Sequence, residues 1–178
     1  MLKELELLFP EVNTLKNGDL KKAVLETFAD AIKQGNWVLE DLKKIPATLL
    51  IPECPINFWQ HTRAVTRGAL AMAREMKGVY GEQLNIDFDI IIAGGLLHDV
   101  GKLLEIERAL EGGYRKSEGG KRLRHPLSGI ILAAARNIPE PVLHIIACHS
   151  KEGNAVRRTT EAVIIHHADF SNFEPFVP

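Results

Sequence analysis

The sequence predicts an all-α fold, built as a single-domain helical bundle, and three observations carry that reading. Apolar residues recur at helical spacing in one segment after another, and no segment sustains a period-two alternation bounded by Asn-Gly or Asp-Gly turns. The third is size: 178 residues suit one core, because a domain of that length buries roughly 70% of its extended surface and needs no staples. Residues 1–56 are expected to form N-terminal helices and a proline-rich connector packed on the core, residues 57–173 the core, and 174–178 a tail.

The elements follow in order. Asp19 is placed to cap a helix running to about Lys33, with Leu20, Val24, Phe28 and Ala31 or Ile32 facing inward and Gln34-Gly35-Asn36 ending it. A short helix from Trp37 to about Ile45 comes next. Pro46, Pro52 and Pro55 then break the chain into an extended connector, after which Asn57 caps a long helix from Phe58 to about Met76. Asp87 begins a buried helix that ends near Lys102, and residues 105–111 add a turn or two of helix. Gly112-Gly113 and Gly119-Gly120 bracket a mobile basic loop. Pro126 suits the first turn of a helix to Arg136, and segments from Glu140 to His149 and from Thr160 to about Asn172 complete the bundle.

Composition excludes several classes of function. A net charge of −1 gives no global attraction to nucleic acid or anionic lipid, so any phosphate-binding surface is local. Cys54 and Cys148 are too few for a zinc module or a disulfide scaffold, and a reducing, cytoplasmic compartment is expected. The start, MLKELELLFPEV, has no signal-peptide pattern, and the longest apolar run, Ile90 to Leu97, is too short to cross a bilayer, so no membrane partner is expected.

The most informative feature is His98-Asp99, which ends the apolar stretch IIIAGGLLHDVGK. A lone buried carboxylate costs several kcal/mol (about 3–5 when its partner is removed), so Asp99 requires a partner, a hydrogen bond or a metal. His61 shares a helical stripe with Ala64, Val65, Gly68 and Met72; His149 shares one with Val142, Ile145 and Ile146; Asp169 shares one with Ala162, Ile165 and Phe173. Taken singly, an inward histidine is more often a core imidazole bonded to a carbonyl, and His125, just before Pro126, reads as a turn residue. Taken together, imidazoles and two carboxylates converging on one core suit a first-row transition metal, or two metals sharing a carboxylate. Asp99 is the best bridge, with His61, His98 and Asp169 completing one ion and His125 and His149 holding the second.

In these motifs the chain resembles the HD-domain metal-dependent phosphohydrolase superfamily. The resemblance rests on NFWQHTRAV around His61, GGLLHDVGK around His98-Asp99, RHPLSG around His125, ACHS at His149 and HHADF at Asp169, and covers roughly residues 57–173. The two extra histidines make it similar to the two-metal branch, including the HD module of ribonuclease Y and stand-alone HD hydrolases. The resemblance implies an HD-type helical bundle, one or two divalent ions such as manganese or iron with two the better fit, and hydrolysis of phosphate esters. Many relatives have a His-His pair where this chain has Cys148-His149, and the ligand is assigned to His149 because it keeps the helical stripe. The GYP signature of cyclic di-GMP phosphodiesterases is missing.

The expected activity is that of a phosphomonoesterase or phosphodiesterase cleaving a nucleotide or other small phosphate ester with metal-activated hydroxide. Asp99 and Lys102 are the expected catalytic residues, Lys102 as the cation that stabilises charge on the phosphoryl oxygens. Lys116, Lys121, Arg122 and Arg124, in the basic run RKSEGGKRLR, are candidate phosphate clamps on a lid, and Ser128 is a candidate phosphate or ligand orienter. Only Tyr114 interleaves with these cations, so RNA is unsupported as a partner. The alternative is a non-catalytic, metal- and nucleotide-binding regulatory module. The exposed face of the N-terminal helices is a candidate homodimer surface.

Overall fold

The computed structural model describes the whole chain, Met1 to Pro178. Its helices are α1 (Leu2–Leu8), α2 (Gly18–Gln34), α3 (Phe58–Tyr80), α4 (Phe88–Leu97), α5 (Lys102–Glu105), α6 (Glu118–Arg122), α7 (His125–Ala134), α8 (Glu140–Cys148) and α9 (Thr160–Ser171). Between α5 and α6 lie two short strands, β1 (Ile106–Arg108) and β2 (Tyr114–Lys116), paired antiparallel. No helix is long and apolar enough to cross a membrane.

α4 is the axis of the bundle, with every residue from Ile90 to Leu97 buried. Burying a side chain such as Ile or Leu stabilises a fold by roughly 1.5–3 kcal/mol, which is why a run without a polar face takes the centre. Gly94 and Gly95 let neighbouring helices close on it from two directions. A Cβ on Gly94 would lie 2.5 Å from Ile145 of α8, and one on Gly95 would lie 2.8 Å from the Thr66 backbone of α3. One cluster of 38 buried apolar residues extends from Leu5 to Ala168, so the N-terminal helices share the core rather than forming a separate one. Phe9 stacks on Phe28 with centroids 4.7 Å apart, and Trp59 Nε1 on α3 donates to the Leu8 carbonyl at 2.7 Å. Asp89, in the first turn of α4, accepts from the backbone of Lys16 and Asn17 and so fixes the entry to α2.

Several expectations need correction. Asn17, not Asp19, caps α2: its side-chain oxygen accepts from the backbone of Asp19 and Leu20, and Asp19 falls in the first turn. The helix expected over residues 37–45 is a 3-10 turn, Leu39–Lys43, held because the Asp41 carboxylate accepts from Val38 N and pairs with Arg108. The helix expected to end near Lys102 ends at Leu97, where i→i−4 bonding gives way to tighter i→i−3 turns from Val100 to Leu97 and from Lys102 to Asp99. Residues 106–108 form a strand instead of a helical turn. The basic segment is an ordered hairpin arm followed by α6, with Gly112 and Gly113 supplying the positive φ (97° and 76°) that the turn demands.

The inward face of α3 is also rotated from the expected stripe. Ala64 is exposed, while Thr62, Val65, Thr66, Ala69 and Ala73 are buried beside His61. Thr66 satisfies its hydroxyl by donating to the Thr62 carbonyl at 2.7 Å, which lets a residue type read as polar sit in the core. The α8 stripe is as expected.

Candidate metal centre

Six side chains from five segments meet at the C-terminal end of α4. His61 lies in the first turn of α3, where Asn57 and Gln60 form a reciprocal capping box that fixes the helix start. His98 caps the end of α4 and Asp99 follows it in the tight turn. His125 opens α7, His149 caps the end of α8, and Asp169 lies near the end of α9. All are buried except Asp169, whose side chain is 13% exposed.

Asp99 stands between two sets of imidazoles and turns one oxygen toward each. Its Oδ2 lies 3.4 Å from both His61 Nε2 and His98 Nε2, and its Oδ1 lies 3.4 Å from His125 Nε2 and 3.5 Å from His149 Nε2. Within each set the imidazole nitrogens face each other, His61 to His98 at 3.5 Å and His125 to His149 at 3.3 Å. Asp169 joins the first set, with Oδ1 3.0 Å from His61 Nε2.

The hydrogen-bond partners on the far side of the rings decide what this arrangement can accept. His98 Nδ1 donates to the Gly95 carbonyl at 2.7 Å, His149 Nδ1 to the Ile146 carbonyl at 3.0 Å, and His125 Nδ1 to Glu105 Oε2 at 3.0 Å. In the neutral ring each of these bonds leaves Nε2 as a lone pair, so three nitrogen lone pairs point toward a carboxylate that carries only more lone pairs. Asp99 Oδ2 receives no well-directed hydrogen bond, although Lys102 Nζ lies 2.6 Å away. A buried cluster in which acceptors outnumber donors favours a cation, and the two sets, His61-His98-Asp99 and Asp99-His125-His149, each bring three ligand atoms close enough together to hold a metal ion.

The charges are arranged consistently with this. Burial alone would raise the Asp99 carboxyl, but the charge of Lys102 beside it holds it well below the usual carboxylate range. Burial likewise opposes ionisation of Asp169, and the hydrogen bond from His61 brings it to about 2. His61 itself is raised above its ordinary value: burial disfavours its charge, but it sits between Asp169 and Asp99. His125 is lowered by burial despite its contact with Glu105.

Glu105, at the end of α5, was not singled out by its sequence context. It is buried, and one oxygen, Oε2, accepts from both the backbone N (2.6 Å) and Nδ1 (3.0 Å) of His125. The other oxygen, Oε1, lies 3.2 Å from Lys116 Nζ and 3.3 Å from Arg124 Nε. Burial would raise its carboxyl, yet the contacts with His125 bring it down to about 2.

A cavity of about 500 Å³ opens onto the cluster and contains Asp99, Lys102, Lys116 and Arg124 in its wall. Lys151, also overlooked in the sequence, adds a fourth cation there. Lys102 Nζ, besides its contact with Asp99, donates to the Ala47 carbonyl of the connector at 2.7 Å. Three candidate substrate residues are elsewhere. Lys121 pairs with Glu118 on exposed α6, and neither it nor Arg122 lines the cavity. Ser128 turns its hydroxyl to the Gly101 carbonyl at 3.3 Å, in the packing of α7 against the turn after Asp99. His166, beside the last motif, uses Nδ1 on the His149 carbonyl at 2.5 Å and packs against the Phe170 ring at a tilt of 52°.

Comparisons with known proteins agree with this geometry. The family model described as HD domain matches residues 58–170. Among curated proteins the chain is similar to the dihydroneopterin 2',3'-cyclic phosphate phosphodiesterase of Methanocaldococcus jannaschii, 35% identical over 111 residues, which are 62% of this chain and 43% of that one. It is also similar to ribonuclease Y of Acidothermus cellulolyticus, 35% identical over 100 residues, 56% of this chain and 17% of that one. The chain thus spans less than half the length of either relative. No solved structure matches it significantly.

Proposed function

The chain belongs to the HD-domain family, and from that premise we propose that it is a metal-dependent phosphohydrolase acting on a small phosphate ester. The observation that carries the reading is the division of Asp99: each of its two oxygens faces its own pair of imidazole nitrogens. His61, His98, Asp99 and Asp169 would hold one divalent ion, and Asp99, His125 and His149 a second. Nitrogen and carboxylate donors suit manganese, iron or a similar ion. Ions bound there would supply an activated water for attack on phosphorus and would polarise the phosphoryl oxygens.

The chain's own residues do the rest. Lys102 neutralises charge on the phosphoryl oxygens, a task for which its place beside Asp99 and its tether to the Ala47 carbonyl fix its direction. Lys116, Arg124 and Lys151 bind phosphate at the cavity wall. Glu105 fixes the His125 ring with its Nε2 lone pair toward Asp99 and anchors Lys116 and Arg124 through its other oxygen. Glu105→Gln is therefore expected to weaken binding of the second ion by about 10–100-fold while leaving the first in place, as read by manganese titration.

The relative from M. jannaschii is named for a 2',3'-cyclic phosphate, which makes a cyclic phosphodiester the first substrate class to assay, with nucleotides beside it. The test is turnover by manganese-loaded protein of a nucleoside 2',3'-cyclic phosphate, a nucleoside monophosphate and a generic aryl phosphodiester. Hydrolysis that a chelator abolishes and added metal restores is the expected result. Fully loaded protein that cleaves none of the three would overturn the reading.

A further inference from the structure

α7 lacks the polar outer face that a surface helix normally carries. Ser128, Gly129, Leu132 and Ala133 are buried where the helix packs on α2, α5 and α8, and its opposite side is apolar too. Leu127 is 52% exposed and Ile131 60%, and Ala134 and Ala135 are exposed beyond them. These four stand at i, i+4, i+7 and i+8, which is one stripe along a helix. From His125 to Ala135 the chain has no Asp, Glu, Lys or Arg. A helix that is apolar on every side is ordinarily covered on every side, and a contiguous apolar stripe left at a surface marks a place of association.

The stripe is self-complementary in shape and in charge. Its first half presents the branched side chains of Leu127 and Ile131, and its second half only the methyl groups of Ala134 and Ala135. A second α7 laid antiparallel about Ile131 sets Leu127 over Ala135 of the other copy, large against small, and Ile131 over its own counterpart. The same register matches the charges. Arg122 and Glu140 lie nine residues before and nine after Ile131, both are exposed, and neither is within salt-bridge distance of an opposite charge in its own chain. The other charges at these ends are committed, Lys121 to Glu118 and Arg136 to Asp30 and Glu26. Antiparallel pairing brings Arg122 of each copy toward Glu140 of the other, whereas parallel pairing brings like charges together. The face of α1 offers no such stripe, since its exposed Leu7 stands one turn from Lys3 and Glu4.

We propose that the outer face of α7 is the centre of a two-fold interface with a second copy of this chain. A two-fold interface uses one patch on both partners, so every contact occurs twice. Burial of Leu127 and Ile131 from both copies supplies the attraction, and the opposite charges at the two ends fix the antiparallel register. α7 opens with His125, so the interface lies on the outer side of a helix whose first turn belongs to the cluster. The pairing is independent of whether that cluster hydrolyses an ester.

Sedimentation equilibrium of the whole chain from about 1 to 200 µM tests the proposal, because self-association depends on protein concentration. The expected result is a monomer–dimer equilibrium with a dissociation constant on the order of 10 µM, as suits an interface centred on one short helix. Ile131→Lys sets two cations face to face on the axis without touching the core, and it is expected to give a monomer with unchanged circular dichroism and melting temperature. Arg122→Glu and Glu140→Arg are each expected to raise the dissociation constant by about tenfold or more, and the variant carrying both to return it to within about threefold of the wild type. A chain that stays monomeric through the whole range, its stripe left for some other partner, overturns the proposal. So does a dimer that Ile131→Lys leaves intact, or a pair of charge reversals that do not repair each other.

Discussion

Asp99→Ala is expected to lose nearly all tightly bound divalent metal and to lower turnover by at least about a thousandfold, because each ion would lose the one ligand that both share. The geometry makes this a larger effect than loss of any one histidine. Asp99 supplies an oxygen to each set of imidazoles, whereas His61 and His98 serve only the first and His125 and His149 only the second. The fold should survive, since Asp99 lies in a turn after α4 and Lys102 keeps its bond to the Ala47 carbonyl. Metal analysis of the desalted protein and a turnover assay check the outcome, with circular dichroism confirming that the helices remain. Asp99→Asn, which keeps the shape of the side chain, should behave almost as badly, because the amide retains one weaker acceptor oxygen and replaces the other with a donor.

The second large effect comes from a residue with no chemistry of its own. Gly101 follows the metal turn and packs directly on the start of α7: a Cβ there would lie 2.1 Å from the His125 carbonyl oxygen, 2.6 Å from Ser128 Oγ and 2.7 Å from Gly129 N. Its backbone is helical, with φ −65°, so what excludes a side chain is contact rather than conformation. Two of the three nearest atoms are backbone and cannot rotate away. Gly101→Ala is expected to cost roughly 3 kcal/mol, the upper end for overpacking, and to lower Tm by about 6–12 °C. Relief by shifting α7 moves His125 away from Asp99, so binding of the second ion should weaken as well. Thermal melts together with metal titration test both parts, and Gly18→Ala, where the added Cβ meets nothing within 4 Å, is the matched control with little effect.

The residues of the histidine–aspartate cluster were legible as a set. A carboxylate closing an apolar run conflicts with burial unless something binds it, whereas each histidine alone reads as a core or turn imidazole and joins that conflict only as one of the set. The inward direction of His61 survived an error in the phase of its helix, since Thr62 and Thr66 looked polar and yet occupy the buried face. Glu105 and Lys151 carried no such conflict. A glutamate in KLLEIERAL reads as surface charge, and only the fold brings it to His125, twenty residues further along the chain. The hairpin was invisible because three-residue strands are too short for period-two alternation to accumulate. The basic run misled in the opposite way. Its cations looked equivalent, but α6 turns Lys121 toward Glu118 while Lys116 and Arg124 reach the cavity.

The central claim is that Asp99 joins two metal sites built from separate histidine pairs, and counting bound ions tests it most directly. Wild type and His149→Ala, loaded with manganese, desalted and measured by mass spectrometry against protein concentration, should contain about two ions and about one ion per chain. One ion in the wild type, unchanged by His149→Ala, would contradict the account.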